Sequence, residues 1–260
     1  MSGPADSGFR LMTVIGIERP TPRLQRLRLA GQDLGRFDVL TNLHIRLYVP
    51  ERAGLVIGHA ISPPVLDVNG RPLPGKQSPD HVARYYTIRR MDADAGWMDV
   101  DFVLHDAPGP AADFARNAKV GDQCGISGPC GLGARPAENY LFAGDEAALP
   151  AISRILEHLP RETRGLVLLE TQHANGRTNI AAPSGIRTRW FERHSRETEC
   201  FLKRTIEAIE TFRREGGDYF LWIAVEHSDW EAIRPHLRSV PKARYIHVAY
   251  WAAPRMEGTH

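Results

Sequence analysis

The hydrophobic pattern of this chain changes its period near the middle, and this change constrains the fold more than any other feature. Before Gly133, short strand-like runs are separated by turn residues, and WMDVDFVLH alternates apolar and acidic residues as a half-buried strand does. The other runs of this kind are LMTVIGIE, LQRLRLA, LHIRLYVP, ARYYTIRR and QCGISG. Several short strands without intervening helices predict an antiparallel barrel or sandwich.

After Asn139 the apolar runs alternate between strand-like and helix-like spacing. The predicted strands are NYLFAG, LVLLE, RTRWF, YFLWIAV and YIHVAYW. The predicted helices are DEAALPAISRILEHLP, ETECFLKRTIEAIETFRREGG and the shorter DWEAIRPHLRSV. Strands that alternate with helices predict a parallel α/β sheet. We therefore predict two domains, residues 1–135 and 136–260.

Charge and cysteine content exclude several functional classes. The chain carries 33 Lys and Arg against 31 Asp and Glu, a balance that argues against nucleic acid or a membrane surface as a partner. The cysteines do not combine with histidines at zinc-ligand spacing, so no metal site is predicted. Because the sequence shows neither a secretory signal nor an apolar run of bilayer length, we expect a cytoplasmic protein without membrane insertion.

The stretch RYYTIRR, which begins at Arg84, combines a strand pattern with phenols, a hydroxyl and arginines. Arg84 and Tyr86 share one face of such a strand. Tyr85 and Thr87 share the opposite face. A bound flavin needs an aromatic face for its ring, a hydroxyl or amide near N5, and cations for its pyrophosphate. The stretch meets these needs, and the alternative is an edge strand with surface arginines.

Two further stretches have the composition of phosphate-binding turns. In HDAPGPAADFA, the small residues Gly109 to Ala112 lead into a short helix, where backbone N–H groups can receive a pyrophosphate. His105 precedes this turn and is a candidate contact for the adenylate portion. AGDEAALPAI follows a predicted strand and opens a helix, the phosphate-binding position of a dinucleotide domain. Its two acidic residues would repel phosphate, and simple helix capping by Asp145 is the alternative.

Together, these stretches resemble the siderophore-interacting protein family of FAD-binding ferric-siderophore reductases. The family pattern has Arg-x-Tyr-Thr-x-Arg, a His followed by Gly-Pro-Ala, and Gly-Asp-Glu-Thr-Ala-Leu-Pro-Ala-Ile. The matching stretches here are RYYTIR, HDAPGPA and GDEAALPAI. Trp190, Trp222 and the closing Tyr250-Trp251 stand in family order, so the resemblance spans nearly the whole chain.

The resemblance implies a six-stranded antiparallel Greek-key barrel that holds FAD, followed by an NAD(P)-binding-type α/β domain of the ferredoxin-reductase-like fold. The implied FAD-binding residues are Arg84, Tyr85, Tyr86, Thr87, His105, Gly109, Pro110, Ala111 and Ala112. Among them, Tyr86 and Thr87 are implied to act at the reacting ring. The residues implied for the nicotinamide side are Gly144, Asp145, Glu146, Ala147 and Glu226, with Tyr250 and Trp251 near the flavin.

Departures from the family pattern fall in the second half of the chain. Ala147 stands where the family has Thr, and Val225 stands where Gly usually follows the central strand. Ala252 stands where Arg follows the Tyr-Trp pair. All three positions lie on the donor side, so the identity of the electron donor stays open.

The resemblance implies that the protein reduces a ferric siderophore with electrons that pass from NAD(P)H through FAD. Hard oxygen ligands bind Fe(III) far better than Fe(II), so reduction releases iron from an intact chelate. One alternative keeps this activity and replaces NAD(P)H by a ferredoxin-type protein or another donor. A different alternative is a non-catalytic FAD-bound module that binds a chelate or a protein partner.

Overall fold

The computed structural model describes residues 8–50, 81–105, 109–193 and 200–253. The chain divides into two compact units, Met1–Gly133 and Ala134–His260. Residues 106–108 of the HDAPGPA stretch and residues 197–199 of the predicted long helix lie outside the described residues. Within the described ranges, no helix combines the length and apolar character needed to cross a bilayer.

The first unit is a closed barrel of six antiparallel strands. These strands are β1 (Arg10–Thr21), β2 (Leu24–Ala30), β3 (His44–Pro50), β4 (His81–Asp92), β5 (Trp97–Val103) and β6 (Gln123–Cys130). Their order around the barrel is β1-β2-β5-β4-β3-β6. Strands β3, β4 and β5 are successive neighbours and β6 returns beside β3, which is a Greek-key arrangement. The predicted six-stranded barrel is confirmed.

Two arginine–aspartate pairs explain why β5, which the sequence predicts as a half-buried strand, is buried on both faces. Asp99 and Asp101 of β5 are buried, and aspartates are rarely buried without a partner. Arg28 and Arg26 lie opposite them on β2, and each arginine donates two hydrogen bonds of 2.6–2.9 Å to its aspartate. Charge-assisted bidentate pairs are strong, so they hold β5 firmly against β2.

The barrel core receives apolar side chains from every strand and from one helix, α1 (Pro110–Asn117). Ala111 and Ala115 of α1 join the same cluster as Ile45 and Phe102. The small alanine side chains let the helix backbone approach the strands closely, and α1 packs against β2, β3 and β5.

The second unit is a five-stranded parallel sheet of order β11-β10-β7-β8-β9. Its strands are β7 (Asn139–Gly144), β8 (Arg164–Thr171), β9 (Gly185–Glu192), β10 (Tyr219–Glu226) and β11 (Tyr245–Trp251). Its helices are α2 (Leu149–Glu157), α3 (Phe201–Glu215) and α4 (His227–Ile233). The predicted parallel α/β architecture is confirmed. The chain runs from the central β7 to one side and later returns to β10 on the other, so β7 and β10 flank the topological switch point.

The start of α2 differs from the prediction. The sequence predicts a helix from Asp145, but α2 begins at Leu149. Before it, the N–H of Ala147 bonds to the Asp145 side chain, and the N–H groups of Ala148 and Leu149 bond to the Asp145 carbonyl. This capped turn, followed by Pro150 in the first helical turn, delays the regular helix.

The predicted helix DWEAIRPHLRSV is also divided. The α-helix α4 ends at Ile233, and a 3-10 turn follows at Arg234–Leu237. Pro235 lies in the first turn of this 3-10 segment. It lacks the N–H that an α-helical hydrogen bond would need at this point, which explains the change of helix type.

One buried hydroxyl yields a test of the second unit's packing. Thr205 of α3 is fully buried, and Oγ1 has no hydrogen-bond partner among the described residues. We expect Thr205→Val to raise the free energy of unfolding by about 1 kcal/mol, because an unpaired buried hydroxyl is removed at nearly constant shape. Denaturant unfolding measures this change. Thr211→Val is the matched control, since that hydroxyl donates to the Glu207 carbonyl near the surface; equal effects of both substitutions would contradict the prediction.

Candidate functional site

The RYYTIRR stretch lies on β4, and its side chains divide between the two faces as the sequence predicts. Tyr86 lies opposite Ile45 of β3 and packs against the barrel core, with its ring centroid 4.4 Å from that of Phe102. Burial raises the pKa of the Tyr86 phenol to about 12. Tyr85, on the other face, is 66% exposed, whereas Thr87 is buried.

Strands β4 and β5 separate along this stretch. Their ladder runs from Ile88↔Val100 to Asp92↔Trp97, and within the described part of the chain no ladder pair joins Arg84 to Thr87 with β5. On β5, Asp101 to Val103 pair with β2 alone. Backbone N–H and C=O groups at such an edge need other partners, which can be side chains, water or a ligand. Among the described residues, the β4 backbone beside the exposed Arg84 therefore has no ladder partner on its β5 side.

The N-terminus of α1 provides backbone donors. Its N-cap, Gly109, is extended and has no side chain with which to cap the helix. Among the described residues, a Cβ built on Gly109 would meet nothing within 4 Å. Pro110 has no N–H, which leaves the N–H groups of Ala111 and Ala112 at the helix start as donors suited to an anion. His105 is exposed, and its carbonyl accepts a hydrogen bond of 2.8 Å from Arg116.

Arg46 was missed by the sequence reasoning. It lies opposite Tyr85 on β3; its Nε donates to the Tyr85 hydroxyl at 3.4 Å, and its guanidinium lies 5.6 Å from the ring centroid. The two side chains form a partly exposed cation–aromatic pair on the outside of the barrel. The alternation in LHIRLYVP, which turns Arg46 outward between core residues, was the signal that could have revealed it.

In the second unit, the predicted residues gather at the carboxyl edge of the sheet. Gly144 ends β7, Glu226 ends β10 and Trp251 ends β11. A Cβ on Gly144 would lie 2.4 Å from the Ala148 Cβ and 2.9 Å from the Ala224 carbonyl oxygen. Glycine is therefore required here because β7, β10 and the turn before α2 pack closely.

Asp145 is buried, and its carboxylate accepts hydrogen bonds through both oxygens. Its Oδ1 accepts from the Ala147 N–H at 2.9 Å, and its Oδ2 accepts from the Trp251 indole Nε1 at 2.7 Å. The Arg193 guanidinium lies 3.9 Å away. Burial raises the pKa of Asp145, and the bonds from Trp251 and Ala147 oppose that rise. Trp251 is thus tied to the β7–α2 turn, although 40% of its surface is exposed.

Glu226 has a capping role. Its Oε2 accepts from the Ser228 N–H at 2.7 Å and from the Ser228 hydroxyl, and its Oε1 accepts from the Ala253 N–H at 3.0 Å. Burial alone would raise the pKa of Glu226, but these hydrogen bonds hold it below its ordinary value.

Val225 is fully buried in the core of the unit. Tyr250 packs edge-on against Trp222, with ring centroids 6.1 Å apart.

A second residue missed from the sequence, Arg193, joins several carboxylates at this edge. It contacts Glu170 through Nε at 2.7 Å and Nη2 at 2.5 Å, and Asp229 at 4.0 Å. Its guanidinium also lies 5.4 Å from the Trp251 ring centroid. The chain brings these residues together from different strand ends, and no local sequence pattern identifies Arg193.

Both halves of the chain match models of one family. Residues 13–133 match the siderophore-interacting FAD-binding domain, and residues 137–254 match the siderophore-interacting protein domain. The crystal structure of the siderophore-interacting protein SipS from Aeromonas hydrophila is 30% identical, with a TM-score of 0.73 over 94% of this chain and 98% of that one. The chain belongs to the siderophore-interacting protein family.

Two other proteins are similar to this chain, one in sequence over most of its length and one in fold alone. The ferric vibriobactin reductase ViuB of Vibrio cholerae serotype O1 is 28% identical over 95% of this chain and 91% of its own length. A ferredoxin reductase of carbazole 1,9a-dioxygenase, 18% identical, has a TM-score of 0.59 over 94% of this chain and 65% of its own. At that identity the likeness shows the fold alone, and it confirms the expected ferredoxin-reductase-like architecture.

The indole of Trp251 makes a testable contribution to stability. We expect Trp251→Phe to lower the free energy of unfolding by about 1–3 kcal/mol at neutral pH, because the buried Asp145 carboxylate loses the donor to its Oδ2. The loss should shrink as the pH falls, since burial already raises the pKa of Asp145 and a protonated carboxyl needs the donor less. Urea unfolding at several pH values measures both effects.

Trp230→Phe is the matched control for this substitution. The Trp230 indole donates a longer bond of 3.3 Å to a backbone carbonyl, that of His247. A pH-independent loss of the same size in both variants would assign Trp251 to apolar packing alone.

Proposed function

We propose that the protein reduces Fe(III) held by a siderophore, with FAD bound to the barrel and NAD(P)H as the electron donor. The observation that carries the proposal is the break in the β4–β5 ladder beside Arg84, which lies in the same barrel as the start of α1, where Gly109 has no capping side chain. The proposal assigns FAD to residues 1–135 and the donor to residues 136–260. It includes the cytoplasmic location expected from the sequence.

The barrel residues fit FAD because they offer an aromatic ring, β4 backbone groups outside the described β4–β5 ladder, and an exposed cation. We assign Tyr86 to the face of the isoalloxazine ring, since Phe102 supports it from the core side. Thr87 would offer its hydroxyl or backbone near N5, and the exposed Tyr85 would border the ring from the other face of β4. When bound, FAD supplies the chemistry of accepting a hydride and releasing electrons singly.

The phosphates of FAD need cations and N–H donors, and the chain offers both. Arg84 is the exposed cation beside the break in the β4–β5 ladder. The N–H groups of Ala111 and Ala112 are the proposed pyrophosphate donors, with room provided by Gly109 and a fixed helix start provided by Pro110. His105, exposed before α1, is the proposed contact for the adenylate portion.

The proposed donor side is the carboxyl edge of the parallel sheet, where ligands of open α/β sheets bind. Its residues are Gly144, Asp145, Glu146, Ala147, Glu226, Tyr250 and Trp251. Gly144 and Glu226 end the two strands that flank the switch point. One hydride carries two electrons and each ferric ion takes one, so one NAD(P)H should reduce two chelates.

The substrate is proposed to be an oxygen-ligated ferric chelate, because such ligands release iron on reduction. Arg46 and Tyr85 support this substrate class. They present a cation and an aromatic ring on the outside of the barrel, on β3 and on β4, the strand that also carries Thr87. An anionic or aromatic chelate would be attracted by this pair.

A second candidate keeps the reductase and changes the donor to a ferredoxin-type protein. One observation favours it: the N–H groups of Ala147, Ala148 and Leu149 are all bonded to Asp145. The turn that usually receives a dinucleotide pyrophosphate therefore has these donors already in use, and it carries two buried carboxylates, Asp145 and Glu146.

Anaerobic stopped-flow absorbance at the flavin band tests the proposal. Bleaching by NADH or NADPH, followed by recovery on adding a ferric siderophore, is the expected result. Bleaching only by a reduced ferredoxin would replace the donor and keep the activity. A flavin that is bleached by dithionite but not reoxidised by any ferric chelate would leave a non-catalytic binding module instead.

The role assigned to Arg84 is tested through cofactor retention. We expect Arg84→Ala to weaken FAD binding about 10- to 100-fold, because one charge-assisted contact to a phosphate is lost. Arg90→Ala is the matched control, since Arg90 is also exposed on β4 but lies in the part that pairs with β5. Fluorescence titration of apoprotein with FAD measures both affinities, and equal affinities would remove Arg84 from the phosphate site.

A further inference from the structure

Glu170 occupies a position that often decides nucleotide preference. It lies next to the last residue of β8, the second strand of the parallel sheet in chain order, after β7 and its glycine turn. In dinucleotide-binding folds, an acidic residue about 20 residues beyond the glycine turn accepts hydrogen bonds from the ribose 2′-hydroxyl of NAD. A nearby arginine accommodates the 2′-phosphate of NADP in other members of such folds.

The carboxylate of Glu170 is held in one orientation, and one of its two oxygens has no hydrogen-bond partner among the described residues. Both contacts from Arg193, Nε at 2.7 Å and Nη2 at 2.5 Å, go to Oε2. In the described part of the chain, Oε1 has no hydrogen-bond partner, and the side chain keeps 13% of its surface accessible. An oriented acceptor that reaches the surface suits a ribose hydroxyl, which is a neutral donor.

The charge around Arg193 opposes a 2′-phosphate. Arg193 lies within 4.0 Å of carboxylate oxygens from Asp145, Glu170 and Asp229, so its single positive charge is shared by three acidic groups. Burial raises the pKa of Glu170 and Asp229, and Arg193 opposes that rise in both. A phosphate dianion would meet net negative charge here instead of a cation that can bind it.

We propose that Glu170, oriented by Arg193, selects NADH over NADPH by accepting hydrogen bonds from the adenosine ribose and repelling a 2′-phosphate. This inference rests on the proposed function, because it names the donor of the same site. Arg177 is the competing feature: it is exposed on the segment that follows β8 and would favour a 2′-phosphate. It therefore enters the experiment as a separate variant.

The first measurement is binding, with the FAD-loaded protein and two non-reducing probes, ADP-ribose and its 2′-phosphorylated form. Calorimetry should show at least tenfold tighter binding of ADP-ribose, since one charged hydrogen bond corresponds to about that factor. Glu170→Gln keeps the shape and removes the charge, and it should reduce this preference to about threefold or less. Glu207→Gln is the charge-matched control on the exposed face of α3, and it should leave the preference unchanged.

The second measurement is the anaerobic rate of flavin bleaching by NADH and by NADPH, which should follow the same order in the same variants. Retained FAD and an unchanged melting temperature establish that the Glu170→Gln variant is folded. If this variant does not fold, Arg193→Lys replaces it in the experiment and should also reduce the NADH preference. A preference for the 2′-phosphorylated probe that Arg177→Ala abolishes would overturn the inference and leave the proposed reductase intact. If neither probe binds and neither nucleotide bleaches the flavin, the result would overturn both this inference and the proposal that a pyridine nucleotide is the electron donor.

Discussion

The separation of β4 from β5 is the constraint on which the candidate flavin site depends. The barrel is closed, yet its β4–β5 ladder begins only at Ile88, while Asp101 to Val103 of β5 remain paired with β2. The bidentate pair between Arg26 and Asp101 holds β5 on that side. Because β5 is fixed to β2 while the core continues beneath both strands, the β4 backbone beside Arg84 lies outside the described β4–β5 ladder without loss of the apolar core.

In the second unit, close packing around Gly144 is the constraint on which the carboxyl edge of the sheet depends. Gly144 allows β7, the turn before α2 and the Ala224 carbonyl to approach within distances that exclude a Cβ. The following Asp145 then uses its carbonyl and both carboxylate oxygens on the turn and on Trp251. The Gly-Asp-Glu stretch is therefore explained first by backbone geometry and hydrogen bonding. Any nucleotide bound at this edge must be recognised by other groups as well.

The two units differ in the charge that they offer to a ligand. The barrel presents Arg84, Arg46 and the start of α1, all suited to anions. The carboxyl edge of the sheet presents several acidic side chains around Arg193. An anionic cofactor and an anionic chelate fit the first set. An electron donor that binds at the carboxyl edge of the sheet must tolerate carboxylates. This charge restricts which donor can bind there.

The sequence by itself determined the strand and helix content, the barrel followed by a parallel sheet, and the faces of β4, because these follow from the period of apolar residues along the chain. It also determined the family through three short stretches. Only the tertiary structure decided where helices such as α2 start, since the capped turn at Asp145 and Pro150 outweighs helical spacing. It alone revealed Arg46, Arg193 and the partners of Asp99 and Asp101. These contacts join residues far apart in sequence, and strand order and register bring them together, which local periodicity does not encode.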